Sequence, residues 1–140
     1  MKENVEKLFP QAKEQFFRDL VQGSPYIQNL ETYKELFNIH EGPYRMLLFK
    51  VDDHDYVKLL ALKSMIEQNF GKENTTFCII ISSSVVLLTS VTNFAELSRL
   101  IEKTQKQCIS GYNIETTVAV SSEGYFSDAA QLYREIKDII

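Results

Sequence analysis

Residues 44–51, Tyr-Arg-Met-Leu-Leu-Phe-Lys-Val, limit the folds open to this chain more than any other segment does. Apolar side chains occupy every position from Met46 to Phe49. Successive side chains of a strand point to opposite faces, so a strand with this pattern is apolar on both faces and has to be buried on both. The segment therefore predicts an interior strand of a sheet on which helices pack.

The rest of the chain alternates between helical and β patterns. Pro10 suits the first turn of a helix, and Gly23 ends that helix. The serines at 82–84 separate two β-rich runs by a distance that fits a hairpin. Strands interleaved with helices, with a hairpin among them, favour an α+β fold with a mixed β-sheet and helices packed on it. The predicted order begins with a helix from 10 to about 21, helix 30–37 and strand 44–51. A helix from the acidic residues 52–55 to about 70 and strands 75–81 and 85–89 follow. The capping box of Asn93 and Glu96 begins a helix that runs to Gly111, and strand 114–120 and a last helix from 127 onwards complete the order.

Helical spacing also assigns the side chains that face the core. In the helix that ends near residue 70, these are Val57, Leu60, Ala61, Met65 and Phe70. In the helix that follows Asn93, they are Phe94, Leu97, Leu100, Ile101 and Cys108. The aromatic residues Phe9, Phe16 and Phe17 of the first helix leave two alternatives open. They all belong to the core, or part of their face is exposed as a dimer or interdomain contact.

The length of 140 residues fits one domain, with 1–42 as an N-terminal helical region and 43–140 as the sheet domain. The net charge is -4 and the basic residues are scattered, so direct contact with nucleic acid is not expected. The chain shows neither a signal peptide nor an apolar run that could span a bilayer, which predicts a cytoplasmic protein without membrane contact. The last helix reaches Ile140 without a cap, which favours a domain excised from a longer polypeptide.

Few residues of the chain suggest chemistry. The cluster Asp52-Asp53-His54-Asp55 has the ligand types of a divalent metal site, but adjacent side chains point in different directions. A strand-to-helix junction capped by one of the aspartates is the favoured interpretation. His40 is interpreted as a surface loop residue, Cys78 and Cys108 lack a CxxC spacing, and the serines at 82–84 lack the frame of a hydrolase nucleophile. We therefore predict no catalytic, cofactor-binding or metal-binding residues, and no cofactor.

Two segments carry a resemblance to a known family. They are residues 15–23, Gln-Phe-Phe-Arg-Asp-Leu-Val-Gln-Gly, and the strand ending 117–122, Thr-Val-Ala-Val-Ser-Ser, which leads to Leu132-Tyr133-Arg134-Glu135. With the order of elements, they resemble the central domain of two-component response regulators that end in an AraC-type DNA-binding module. That domain is a degenerate relative of the GGDEF diguanylate cyclases. The resemblance implies a ferredoxin-like, nucleotidyl cyclase-like sheet preceded by N-terminal helices.

The same resemblance indicates that cyclase activity is absent. An active cyclase needs a carboxylate at the end of its first sheet strand and an acidic, glycine-containing hairpin, which together hold Mg²⁺ against the triphosphate. In this sequence the first position aligns with Lys50, and the hairpin is Ser82-Ser83-Ser84. A shift of register would bring Asp52 or Asp53 to the first position, but the hairpin would still supply no carboxylate.

The resulting hypothesis is a non-catalytic regulatory and interaction domain of a bacterial two-component transcription regulator. The resemblance implies two partners in the same polypeptide, an upstream receiver domain and a downstream helix-turn-helix domain, with a homodimer left open. The alternative is a small-molecule or nucleotide-sensing domain that keeps a cyclase-like pocket without activity.

Overall fold

The computed structural model describes residues 10–23, 30–52 and 55–140. Short 3₁₀ turns occur at Lys72–Asn74 and Phe126–Asp128. The helices and strands lie close to the positions predicted from the sequence, and the α+β class is confirmed. They are α1 (Pro10–Val21), α2 (Leu30–Leu36), β1 (Arg45–Val51), α3 (Tyr56–Phe70), β2 (Thr75–Ile81), β3 (Ser84–Thr89), α4 (Phe94–Tyr112), β4 (Thr116–Val120) and α5 (Ala129–Ile136).

The four strands form one sheet in the order β2-β3-β1-β4. Every neighbouring pair is antiparallel, so the expectation of a mixed sheet is wrong. Strands β1 and β2, which are connected through α3, run in the same direction, but β3 lies between them. This split βαβ arrangement is that of ferredoxin-like folds, and it leaves no parallel strands side by side.

Strand β1 is buried on both faces, as its apolar run predicted. Met46 and Leu48 face a core that is shared with α1, α2 and α5. Leu47 and Phe49 face a second core, under α3 and α4. All four side chains are at most 4% exposed. The sheet is thus the middle layer between two helical layers.

The predicted inward face of α3 is only partly correct. Val57 is 72% exposed and Leu60 is 45% exposed, although both were assigned to the core. Phe70 is buried as predicted, and the stripe that packs on the sheet also contains Leu59, Leu62 and Ile66. Helix α3 carries apolar residues on most of its circumference, so its periodicity alone does not fix which side meets the sheet.

The assignment for α4 is right in its middle and wrong at its ends. Leu97, Leu100 and Cys108 are buried as predicted. Phe94 is 61% exposed, because it lies in the first turn of the helix, beyond the edge of the core. The helix also runs through Gly111 to Tyr112. It is capped by Asn113 (φ 55°, ψ 42°), since asparagine tolerates the left-handed conformation that closes a helix.

The aromatic face of α1 is part of the core. Phe16 is 5% exposed and stacks on Tyr33 of α2, with ring centroids 4.4 Å apart. Phe17 is 2% exposed and stacks on Phe77 of β2 at 4.7 Å. The interpretation of these two residues as an exposed dimer contact is therefore wrong, because α2 and β2 both cover them. Phe9 lies outside the described residues.

Candidate functional site

The end of β1 and the β2–β3 hairpin lie side by side. Lys50 is opposite Ser84 in the β1–β3 register, and the Val51 N–H donates to the Ser83 carbonyl at 3.0 Å. The hairpin turn consists of Ser82 and Ser83, and Ser82 adopts a positive φ of 55° without being glycine. The structure thus brings together the two segments that would form a catalytic edge.

The chemistry of this edge differs from that of a metal-dependent nucleotide site. The Lys50 ammonium donates to the main-chain oxygen of Ile140 at 3.2 Å and places a cation at the end of the strand. The hairpin presents hydroxyl groups, which bind Mg²⁺ less well than carboxylates do. A triphosphate with its magnesium ion would find a positive charge here in place of the first metal ligand.

The structure describes Asp52 and Asp55 of the acidic cluster that follows β1. Asp55 caps α3, since its carboxylate accepts from the Val57 N–H at 2.9 Å, which confirms the capping interpretation for this residue. Asp52 is exposed, and Asp53 and His54 lie outside the described residues. Among the residues that the structure describes, no group of three or more His, Cys, Asp or Glu side chains could hold a metal ion.

The cysteines and His40 have structural positions. Cys78 and Cys108 are buried free thiols, and burial raises the pKa of each. The reactive form of cysteine is the thiolate, so a raised pKa makes both residues poor nucleophiles. His40 is exposed in a loop, as predicted, and its carbonyl accepts from the Tyr44 hydroxyl at 2.7 Å.

A concave region lies at the end of the sheet opposite the β2–β3 hairpin. This groove, of about 900 Å³, is bounded by α1, the end of α2 and the start of β2. Its lysine, histidine and carboxylate side chains are Lys13, His40, Lys72 and Glu73. The Lys13 ammonium also lies 5.7 Å from the centre of the Phe37 ring. The groove carries two lysines against one glutamate, so a small anion is the ligand class that it suits.

Helices α1 and α5 meet on one face of the sheet. The Phe126 ring, at the start of the turn that leads into α5, lies 6.4 Å from Phe16 and 6.3 Å from Phe17 of α1. Leu132 and Ile136 of α5 are buried in the same core. The first and last described helices therefore share one packed interface.

A polar network joins the same two parts of the chain. The Lys34 ammonium of α2 contacts the carboxylates of Glu31 and Glu41. Glu41 also accepts from the Ser127 hydroxyl at 2.9 Å, and its carbonyl accepts from the Phe126 N–H at 2.7 Å. Sequence reasoning missed this network, because Glu41 and Ser127 are 86 residues apart and no local pattern pairs them.

The network makes a testable contribution to pH-dependent stability. The Lys34 ammonium lowers the pKa of the Glu41 carboxyl below its ordinary value of 4.5. A carboxyl whose pKa is lower in the folded state stabilises the fold above its unfolded pKa and loses that contribution as the pH falls through the folded value. Glu41→Gln is therefore expected to reduce the urea midpoint at pH 7 and to have little effect well below pH 4.5.

Glu31→Gln is the matched control for this prediction. Glu31 contacts the same ammonium at 3.2 Å, but its side chain is 87% exposed. An exposed pair contributes little, so this variant is expected to unfold nearly as the wild type does at both pH values. Equal destabilisation by Glu41→Gln at neutral and at acid pH would contradict the assignment of the effect to the ionised carboxylate.

Comparison of the chain with protein families, with curated proteins and with solved structures finds no match. The resemblance to the response-regulator domain stays a prediction from the residues that carry it. No helix in the described ranges is long and apolar enough to cross a membrane.

Proposed function

We propose that this chain is a non-catalytic regulatory domain of a bacterial two-component transcription regulator. The observation that carries the proposal is the packing of α1 against the α5 region, through Phe16, Phe17 and Phe126. A domain that relays a signal between an upstream receiver and a downstream helix-turn-helix module needs its first and last elements to be mechanically coupled. This interface supplies that coupling, and the role places the domain in the cytoplasm.

The coupling has a physical basis in the density of the core. Phe126 is fully buried and Phe17 is 2% exposed, and their rings meet edge to face with centroids 6.3 Å apart. Close-packed interiors transmit displacement, because they respond to strain by shifting between discrete packings. A rotation of α1 would therefore displace Phe126, and the turn and helix that follow it would move as well.

The polar network around Glu41 is a second connection between the N-terminal helical region and α5. It connects the segment after α2 to Ser127 in the 3₁₀ turn that precedes α5, outside the apolar interface. A movement of the N-terminal helical region would thus reach α5 by two routes, one apolar and one polar. The regulatory role needs no catalytic group, which agrees with the cation at Lys50 and the serine hairpin.

The basic groove favours a second candidate function, the sensing of a small anionic molecule. Lys13, His40 and Lys72 would attract a phosphate or carboxylate group, and Thr76 and Ser90 would supply hydroxyl contacts. The groove lies at the far end of the sheet from the hairpin, so this sensor would not use the cyclase-like edge. A nucleotide present at 100 times its dissociation constant would raise the stability by about 2.7 kcal/mol.

The gene that encodes the chain gives the first test. We expect the coding sequence to continue on both sides, with a receiver domain before residue 1 and a helix-turn-helix module after residue 140. Deleting the segment from that regulator should abolish signal-dependent transcription, while the downstream module still binds its DNA. Unchanged signal dependence after the deletion, or the absence of both flanking modules, would overturn the proposal. If both flanking modules are absent and a nucleotide raises the melting temperature of the chain, the result would favour the sensor.

A further inference from the structure

The two edge strands of the sheet, β2 and β4, differ in what lies against them. At the β2 edge, α1 lies against the strand, and the Arg18 guanidinium donates to the Ile80 carbonyl from Nε and Nη2, at 3.3 and 3.2 Å. At the other edge, β4 has β1 as its strand neighbour on one side only. An edge strand presents a row of unpaired main-chain groups, which is a template for pairing with another strand.

The ladder between β1 and β4 shows which groups of β4 point outward. The Ser121 N–H donates to the Met46 carbonyl at 2.9 Å, which marks these residues as a hydrogen-bonded pair. Hydrogen-bonded and non-bonded pairs alternate along an antiparallel ladder. Counting back from Ser121, the main-chain groups of Val120, Val118 and Thr116 point away from β1.

One of these outward main-chain groups already forms a hydrogen bond. The Gln105 side-chain amide, from α4, donates to the Thr116 carbonyl at 3.1 Å, which agrees with the outward direction of that residue. Within the described residues, no hydrogen bond reaches the outward main-chain groups of Val118 or Val120. The centre of β4 thus offers donors and acceptors in the alternation that a further antiparallel strand requires.

Strand β4 lacks the features that usually block such pairing. Its sequence, Thr-Thr-Val-Ala-Val, contains no charged residue and no proline, and its register with β1 has no bulge. Natural edge strands are commonly protected by charges, prolines or bulges. The part of this edge at Val118 and Val120 is therefore a candidate interface.

We propose that β4 pairs antiparallel with β4 of a second copy of this chain, about a twofold axis at Val118. In this register Thr116 lies opposite Val120 and Thr117 lies opposite Ala119. These are pairs of β-branched or small residues, which suit a sheet surface. A closed twofold contact of this kind uses the same patch on both copies.

The charges that flank β4 favour a second copy in this antiparallel register. The flanking carboxylates are Glu115 and Glu123. The twofold register places Glu115, which directly precedes β4, opposite Ser121, so no like charges meet there. A parallel pairing of two β4 strands would place Glu115 opposite its own copy, which is destabilising. Of the two self-pairings, the charge at Glu115 thus favours the antiparallel one.

An exposed apolar side chain lies beside the same edge. Ile109 of α4 is 51% exposed and lines a groove together with Gln105 and Thr116. A second sheet that continued from β4 would bring its own α4 towards this groove. Self-pairing would thus cover Ile109 as well as satisfy the main-chain groups of β4.

The test compares Val118→Pro with Val118→Ala by sedimentation velocity over a range of protein concentrations. Both variants remove the branched valine side chain, but only proline removes the outward N–H, and edge positions whose N–H faces solvent tolerate proline. We expect the wild type and Val118→Ala to dimerise. In Val118→Pro, both hydrogen bonds at the axis are lost, so the dissociation constant is expected to rise at least about tenfold.

Two results would overturn the proposal. One is a wild-type chain that stays monomeric at the highest concentration reached, and the other is a Val118→Pro dimer as tight as that of Val118→Ala. Amide hydrogen exchange in the wild type keeps the proposal testable if the proline variant does not fold. The Val118 and Val120 amides should exchange more slowly as the concentration rises, and exchange that does not depend on concentration would refute the pairing.

Discussion

Replacing Phe126 by alanine is expected to lower the free energy of unfolding by about 3–5 kcal/mol. Phe126 is fully buried and lies among Phe16, Phe17 and the helix α5, so the substitution removes apolar surface and leaves a cavity that several elements line. The cavity cost adds to the transfer cost, because neighbours in a close-packed core relax only in part. Equilibrium urea denaturation of both proteins, followed by far-UV circular dichroism, measures the difference.

Tyr125→Ala is the matched control. Tyr125 precedes Phe126 in the chain but is 53% exposed, so its loss is expected to cost less than about 1 kcal/mol. If Phe126→Ala cost no more than Tyr125→Ala, the packing of α1 against the α5 region would not be a substantial source of stability. The mechanical link that supports the proposed function would then lose its basis.

Arg45→Ala is expected to lower the free energy of unfolding by about 2–4 kcal/mol. The Arg45 side chain is only 12% exposed. Its Nε donates to the Thr92 carbonyl and its Nη1 donates to the Ser121 carbonyl, each at 2.9 Å. The guanidinium carbon lies 4.2 Å from the centre of the Phe94 ring. The variant would leave two carbonyls without their charged donor and would separate the start of α4 from β1. The urea midpoint measures the loss.

Two further variants locate the source of this effect. Arg99→Ala removes an exposed ion pair with Glu96 on α4 and is expected to cost less than about 1 kcal/mol. Arg45→Lys keeps the positive charge but not the planar fork, so an intermediate loss is expected. A full rescue by lysine would mean that charge alone accounts for the effect, against the geometric explanation.

The contacts of Arg45 also explain why Phe94 is exposed. The sequence places Phe94 on the apolar stripe of α4, where helical spacing predicts burial. In the structure, the ring lies at the surface beside the Arg45 guanidinium, which covers it from β1. A cation over an aromatic face stabilises such a ring at the surface. The local pattern around Phe94 could not predict this contact, because Arg45 lies 49 positions earlier in the chain.

The elements of the fold were largely determined by local sequence. The apolar run of β1 predicted burial on both faces, and the structure places a core on each side of it. Asn93 accepts from the Glu96 N–H at 3.1 Å, as its position before an apolar stripe predicted. The reciprocal half of that capping box is absent, because the Glu96 carboxylate pairs with Arg99. These features depend on residues a few positions apart, which is why the sequence reveals them.

Tertiary structure decided what depends on distant residues. The strand order, the side of α3 that meets the sheet, and the contacts of Glu41 and Arg45 all join segments far apart in the chain. The contact between the end of β1 and the β2–β3 hairpin, the packing of α1 against the α5 region and the outward main-chain groups of β4 also had no local signal in the sequence. The physical reason is that propensity and periodicity act within one element, whereas burial and edge exposure are set by which elements become neighbours.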